Sequence, residues 1–274
     1  MAANGDLPFT AVYLSADAYK ACTLHALSTE VEEVMGLLIG YSKDGVVHVT
    51  SLLSLVRLDK RPDRVEIGDV DLSNNVDRAE EVSRKESPGK DISLSIVGWY
   101  HSHPHITIFP SAVDNRTQLT YQQLGTWIGL IFGVYDGTPD GLNRMKIIAF
   151  QSRNGLSGPE HTLLPVCVRP TLPSEPQLKA SCIEAMREMV SNVFLEELQA
   201  YRMATYGALT PGASHSSPSQ LDVWENTAVY AKHYCKFVKH VSLPFLHFLQ
   251  SRRQDVDRLL QQALMEDAQK RCIS

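Results

Sequence analysis

The chain has 274 residues, enough for one enzyme-sized domain with an extension, and its formal charge of −5 argues against a surface that tracks nucleic-acid phosphates. Hydrophobic residues make up 43% and charged residues 21%, which is ordinary globular usage. Apolar runs such as Trp127 to Phe132 are too short to span a bilayer, so no membrane anchor is expected. Met1 to Pro8 has neither the basic start nor the apolar stretch of a secretory signal, and an intracellular chain is expected. Cys22, Cys167, Cys182, Cys235 and Cys272 are odd in number and widely spaced, which supports neither a disulfide framework nor a paired-cysteine zinc knuckle.

Ser15 or Asp17 is suited to cap a helix through Tyr19, Cys22, Leu24 and Leu27. Val34 to Tyr41 and Val46 to Arg57 read as strands joined by a hairpin turn at Lys43-Asp44-Gly45. Leu58 to Asp71 is charged and contains Arg61-Pro62, so it reads as a surface insertion leading into a helix through Val76, Ala79 and Val82 that stops at Ser87-Pro88-Gly89. Leu94 to Tyr100 is a buried strand, Ser111 to Leu124 a helix and Trp127 to Tyr135 another strand. After a loop at Asp136 to Gly141, Met145 to Gln151 and Leu163 to Val168 supply further strands. The pattern is an α/β or α+β domain ending near residue 170, with too few strands for an eight-fold barrel.

Beyond Pro173 the period becomes helical: Ile183, Met186, Val190, Phe194, Leu198 and Tyr201 recur at spacings of three and four. This divides the chain into a catalytic-sized domain, 1–172, and a helical extension, 173–274. A Gly/Pro/Ser-rich linker lies at 207–219 and a break or first-turn proline at Pro244. Leu246, Leu249, Arg253, Val256, Leu260 and Ala263 form a short seam of coiled-coil type, read either as packing on its own domain or as a pairing surface for another chain.

The chemistry concentrates after the middle strand. His101 and His103 stand at i and i+2, so on extended backbone both imidazoles face one side. Asp114, in the first turn of the next helix, can join them. Two histidines and one aspartate suit zinc, and three protein ligands leave one position for water, the pattern of a catalytic site. The plainer reading is that Ser111 and Asp114 only start a helix, as a capping serine with a carboxylate three residues on. His105 extends the alternation, but Pro104 interrupts it; the remaining histidines have no comparable spacing.

Glu33-Val34-Met35-Gly36, His101-Ser102-His103-Pro104, Ser111 and Asp114 together resemble the signature of the JAMM (MPN-plus) zinc metalloproteases. The resemblance implies an MPN domain with a mixed sheet flanked by helices. It also implies one zinc ion on His101, His103 and Asp114, Ser111 stabilising the oxyanion, and Glu33 managing the proton of the attacking water. Neighbours on extended chain face opposite ways, so only one of Glu32 and Glu33 can reach the metal, and the resemblance, through its E-x-x-G pattern, selects Glu33.

Ser28-Thr29-Glu30, Glu32 to Gly36, Asp63 to Ile67 and Val97 to Tyr100 narrow the resemblance to the lysine-63-linkage-specific deubiquitinase subunits of the BRISC and BRCA-A complexes, most clearly over the first 170 residues. That likeness implies cleavage of polyubiquitin and pairing through the C-terminal helices with an MPN-minus pseudo-enzyme of the Abraxas type. It further implies a higher-order hetero-oligomer, DNA-repair or signalling roles, and residence in nucleus and cytoplasm. The Cys and His cluster of endosomal JAMM enzymes is missing, so a single zinc is expected. Leu58 to Asp71 and the loop beyond Tyr135 are the candidates for setting linkage preference. The loops Asp136 to Asn143 and Asn154 to Glu160 look shorter than in the best-known relatives. The alternatives are a noncatalytic MPN scaffold, which would lack metal-site residues, and a zinc amidohydrolase acting on another amide.

Overall fold

A computed structural model describes residues 9–55, 69–86, 92–125, 127–137, 145–170, 180–206 and 220–273. Most of the 58–71 insertion, the tip of the loop after Tyr135 and the whole 207–219 linker lie outside them. In chain order the elements are β1 (Ala11–Ser15), α1 (Ala16–Ala26), β2 (Met35–Lys43), β3 (Val46–Ser54), α2 (Asp69–Glu86), β4 (Ser95–Pro104), α3 (Ala112–Leu124), β5 (Ile128–Val134), β6 (Lys146–Gly155), β7 (Gly158–Leu164), β8 (Val166–Arg169), α4 (Ala180–Tyr206), α5 (Gln220–Phe237) and α6 (Leu243–Ile273). The strands make one mixed eight-stranded sheet in the order β7-β6-β5-β4-β2-β3-β1-β8. Among the described residues no helix is long and apolar enough to cross a membrane.

The sheet has an apolar layer on each face. On one side α1 and α4 pack on Leu38, Val49, Tyr100, Leu130 and Phe132, and α4 contributes Cys182, Met186, Met189 and Val193. On the other, Ala79 of α2 and Tyr121 of α3 cover Met35, Leu37, Trp99, Ile131 and Phe150. Strand alternation sorts β4 between the two layers, with Tyr100 toward α1 and Trp99 toward α3. His101 and His103 share the parity of Trp99, so they emerge on the side of α3, the helix that carries Asp114.

Several elements differ from expectation. β1 is an element that the sequence reading does not include: its Val12 and Leu14 alternate inward, and Ser15 caps α1 by accepting the Ala18 N–H at 3.2 Å. The single strand expected over Leu163 to Val168 is two strands, divided by Pro165. β7 pairs with β6 at one edge of the sheet and β8 with β1 at the other. One residue reaches only about 3.5 Å, so the sheet must curl until its two edges nearly meet. The hairpin at Asp44 and Gly45 does form, both residues taking the left-handed backbone (φ 51° and 74°) that a two-residue primed turn demands.

Pro244 is a first-turn residue of the last helix, one of the two roles expected of it, and not a break. A π-turn at Val238–Ser242 precedes it, with the Leu243 N–H reaching back to the Val238 carbonyl. That extra residue shifts the hydrogen-bond register, so the missing proline N–H and its ring are accommodated. Phe237, Val241 and Phe245 from this bend enter the core beside α1. Arg252 then binds the buried Asp17 of α1 at 2.6 Å, and beyond it α6 leaves the body with Val256, Leu260, Leu264 and Met265 all more than half exposed.

Candidate metal centre

The site is assembled by a strand end, a helix start and the segment entering β2. β4 continues through the histidine motif to Pro104, paired in parallel with β5 and held against β2 by the match of Met35 with His101. Ser102, between the two histidines, points the other way. Its Oγ accepts the Val34 N–H at 3.0 Å, and its own N–H donates to the Val34 carbonyl at 3.0 Å. These two bonds fasten the residue after Glu33 to the residue between the histidines.

His101, His103 and Asp114 bring one ligand atom each within 4.8 Å of one another. The two Nε2 atoms are 2.9 Å apart, His101 Nε2 is 3.4 Å from Asp114 Oδ1, and His103 Nε2 is 3.7 Å from Asp114 Oδ2. Donors around one tetrahedral zinc with bonds of about 2.0–2.1 Å stand roughly 3.3 Å apart, so the spacing fits. The donor chemistry fits as well. His103 Nδ1–H donates to the Thr107 carbonyl at 2.6 Å, which leaves the Nε2 lone pair facing the cluster. Two imidazole lone pairs so close require a proton or a cation between them.

Electrostatics agrees. Burial acts to raise the Asp114 pKa, but hydrogen bonds with His101, His103 and Ser111 outweigh it and hold the carboxyl well below the usual carboxylate range. Burial acts to lower the His103 pKa, yet Asp114, the Thr107 carbonyl and Glu33 together push it up. The cluster is thus a place that draws positive charge.

Ser111 is the N-cap of α3. Its Oγ accepts the Asp114 N–H at 3.1 Å while Asp114 Oδ2 accepts the Ser111 N–H at 2.6 Å. The plainer sequence reading, a capping box, is therefore realised, and so is the placing of the Asp114 carboxylate at the cluster; the two roles share one geometry. Glu33 lies 3.9 Å from His103 Nε2 with its side chain largely buried. His105 stands apart. Its backbone turns left-handed (φ 58°) after Pro104, and its ring stacks on Tyr135 and lies 3.9 Å from Glu30.

Sequence reasoning missed Ser102 and Thr107, which position the site without joining it. A polar residue inside a buried strand is a signal for Ser102, since it needs a partner. No comparable signal marks Thr107, whose carbonyl is what matters.

A family model described as JAB1/Mov34/MPN/PAD-1 ubiquitin protease matches residues 8–126, which include all of these site residues. A mouse (Mus musculus) protein named Lys-63-specific deubiquitinase BRCC36-like is 33% identical over 284 residues, spanning 93% of this chain and 92% of its own. A Xenopus tropicalis protein named Lys-63-specific deubiquitinase BRCC36 is 34% identical over 263 residues, spanning 94% and 95%. A protein of that name from Camponotus floridanus is 39% identical over 188 residues, spanning 68% and 69%.

Proposed function

The chain belongs to the JAB1/Mov34/MPN/PAD-1 ubiquitin protease family, and from that membership we propose that it is a zinc-dependent isopeptidase cleaving lysine-63-linked polyubiquitin as the catalytic subunit of a larger assembly. The observation that carries the reading is the gathering of His101, His103 and Asp114 with the Glu33 carboxylate at its edge. Zinc held by those three side chains supplies Lewis acidity, which acidifies water and polarises a carbonyl.

The protein's own groups do the rest. Glu33 takes a proton from the attacking water and returns it to the lysine amine as the isopeptide C–N bond breaks. The Ser111 hydroxyl, whose oxygen already accepts the Asp114 N–H, keeps its proton available for the substrate oxygen as negative charge develops there. Asp114 remains anionic through both steps, and Thr107 keeps His103 from turning.

Pairing with an Abraxas-type MPN-minus partner is supported by the exposed Val256, Leu259, Leu260, Leu264 and Met265 on α6, since a lone helix with an apolar stripe is marginal in water. Residence in nucleus and cytoplasm, and a division into a catalytic domain at 1–172 and a partner-binding extension at 173–274, complete the proposal.

The test is cleavage of a panel of di-ubiquitin linkages by the full chain purified with its partners, wild type against Glu33→Ala. Cleavage confined to the lysine-63 linkage, and reduced about 10²–10⁴-fold in a variant that still holds zinc, is expected. Near-normal cleavage by Glu33→Ala would sink the assignment of the base. Zinc without cleavage of any linkage would move the substrate to another amide.

A further inference from the structure

The two histidines of the cluster are held in different ways. His103 donates its second ring N–H to the Thr107 carbonyl. His101 Nδ1 is buried and has no hydrogen-bond partner among the described residues. Besides its Nε2 contacts within the cluster, the His101 ring is held by Trp99, whose indole lies parallel to it at 4.6 Å between centroids with 9° between the planes.

Stacking alone leaves the indole free to slide or tilt, but Trp99 is anchored at its edge. Its Nε1–H donates to Gln118 Oε1 at 2.6 Å. Gln118 is completely buried and itself pinned, its Nε2 donating to the Trp127 carbonyl at 2.7 Å and to Gln122 Oε1 at 2.8 Å. Gln118 also sits one helical turn beyond Asp114 on α3. The same amide therefore fixes the ring against which His101 lies and ties β4 to the helix that presents the carboxylate ligand.

We propose that Gln118 and Trp99 are positioning residues of the metal centre, acting as a hydrogen-bonded brace that sets the angle of the His101 ring and the separation of His101 from Asp114. The inference rests on the reading of His101, His103 and Asp114 as metal ligands. In general the outer partners of a ligand histidine are bonded to the ring; here the partner is a stacked ring with its own hydrogen-bonded anchor.

The network offers an internal control. Gln122 belongs to it, accepting from Gln118 and from the Ser152 N–H at 2.9 Å and donating to the Ser152 carbonyl at 2.8 Å, but it has no hydrogen bond to Trp99 among the described contacts. Gln118→Met removes the acceptor of the indole. Gln122→Met removes three part-buried bonds of the same network and leaves the hydrogen bond from Trp99 to Gln118 in place.

Zinc affinity is measured for the full chain by competition with a chelator, and the cobalt(II)-substituted protein is examined by its visible absorption. Gln118→Met is expected to bind zinc about 10–100-fold more weakly, with an altered cobalt spectrum. Gln122→Met is expected to lose thermal stability yet bind zinc within about two-fold of wild type. Trp99→Phe, which keeps a ring face and loses the N–H, should reproduce the Gln118→Met spectrum and serves if Gln118→Met does not fold. Unchanged affinity and spectrum in Gln118→Met, or in Trp99→Phe if only that folds, overturn the brace. An equal zinc loss in Gln122→Met reduces it to general stability and also overturns it. A wild-type chain that takes up no zinc instead overturns the reading of the site beneath it.

Discussion

Gly36 closes the E-x-x-G part of the site motif, and the structure shows why a side chain is not tolerated there. A Cβ at this position would sit 2.6 Å from the Leu53 carbonyl oxygen and 2.6 Å from Tyr100 Cζ. The carbonyl belongs to the β2–β3 ladder and cannot retreat without breaking it. The Tyr100 ring is fully buried and its hydroxyl is hydrogen-bonded to His25 Nδ1 at 2.8 Å, so it cannot swing away. Overpacking usually costs about 1–3 kcal/mol, and with both walls fixed Gly36→Ala belongs at the upper end, about 3 kcal/mol. For a chain of this size about 2–4 °C of Tm accompany each kcal/mol, which gives a fall of about 6–12 °C. The assay is thermal unfolding of the full chain beside Gly137→Ala, whose added Cβ meets no atom within 4 Å. A Tm for Gly36→Ala within about 2 °C of wild type would refute the argument from close approach.

Ser111→Ala removes the cap of α3 and the proposed oxyanion donor together. Stability should fall by about 1 kcal/mol in denaturant titration, and turnover of lysine-63 di-ubiquitin by about 10²–10³-fold. A loss of stability with full turnover would leave Ser111 as a cap alone. His48 stacks on Tyr41, and its pKa is lowered from 6.5 by burial and by Arg169 and Lys43, so the folded state binds its proton less readily than the unfolded chain. Its contribution is complete above about pH 6.5 and is lost as pH falls through the folded value; being partly exposed, it should not exceed about 1 kcal/mol. The Tm drop between about pH 7.5 and about pH 5.5 should therefore be smaller in His48→Gln than in wild type. A chain ending at Gln254 keeps Phe237, Val241, Phe245 and the Arg252–Asp17 pair, and loses the exposed apolar stripe. It should hold its Tm within about 2 °C and its zinc, yet fail to capture a partner in a pull-down.

The legible parts of the sequence were those where local chemistry and tertiary use coincide. Asp44-Gly45 makes a primed turn wherever it stands between apolar strands, and Ser111 with Asp114 is a capping box whether or not a metal is near. His101 and His103 share a face because strands alternate. The misses arise where the partner is distant in sequence. β1 has the right alternation in Val12 and Leu14, but its short run gains strand character only from pairing with β3 and β8. The β6–β7 hairpin carries Arg153, Asn154 and Glu160 because it is an edge where polar side chains face solvent, and polarity there reads as loop. Pro244 does stand in a first turn, as one of its two readings has it, but the π-turn before it leaves no mark in composition. The anchoring of Trp99 by Gln118 is invisible for the same reason, being a contact across 19 positions between a strand and a helix.

The same contrast separates the proposed metal ligands from the proposed base. His101, His103 and Asp114 are carried by β4 and α3, whose neighbours are sheet strands and the buried amides around Gln118. Glu33 ends the segment Ser28 to Glu32, and that segment faces the extension instead. Ser28 to Val31 share a cleft with Phe194 and Glu197 of α4 and Tyr230, His233 and Lys236 of α5, and Lys236 is ion-paired with Glu30. Tyr135, across the same cleft, donates its hydroxyl to the Leu27 carbonyl at 2.5 Å. Glu30 thus ties the segment leading to Glu33 to α5, while the Val34–Ser102 bonds tie the residue after Glu33 to the histidine strand; His101, His103 and Asp114 themselves have no hydrogen bond or ion pair to α4 or α5 among the described contacts. Metal uptake and turnover should then be separable properties of this fold: changes in the extension act on kcat with zinc in place, whereas changes around Gln118 act on zinc first.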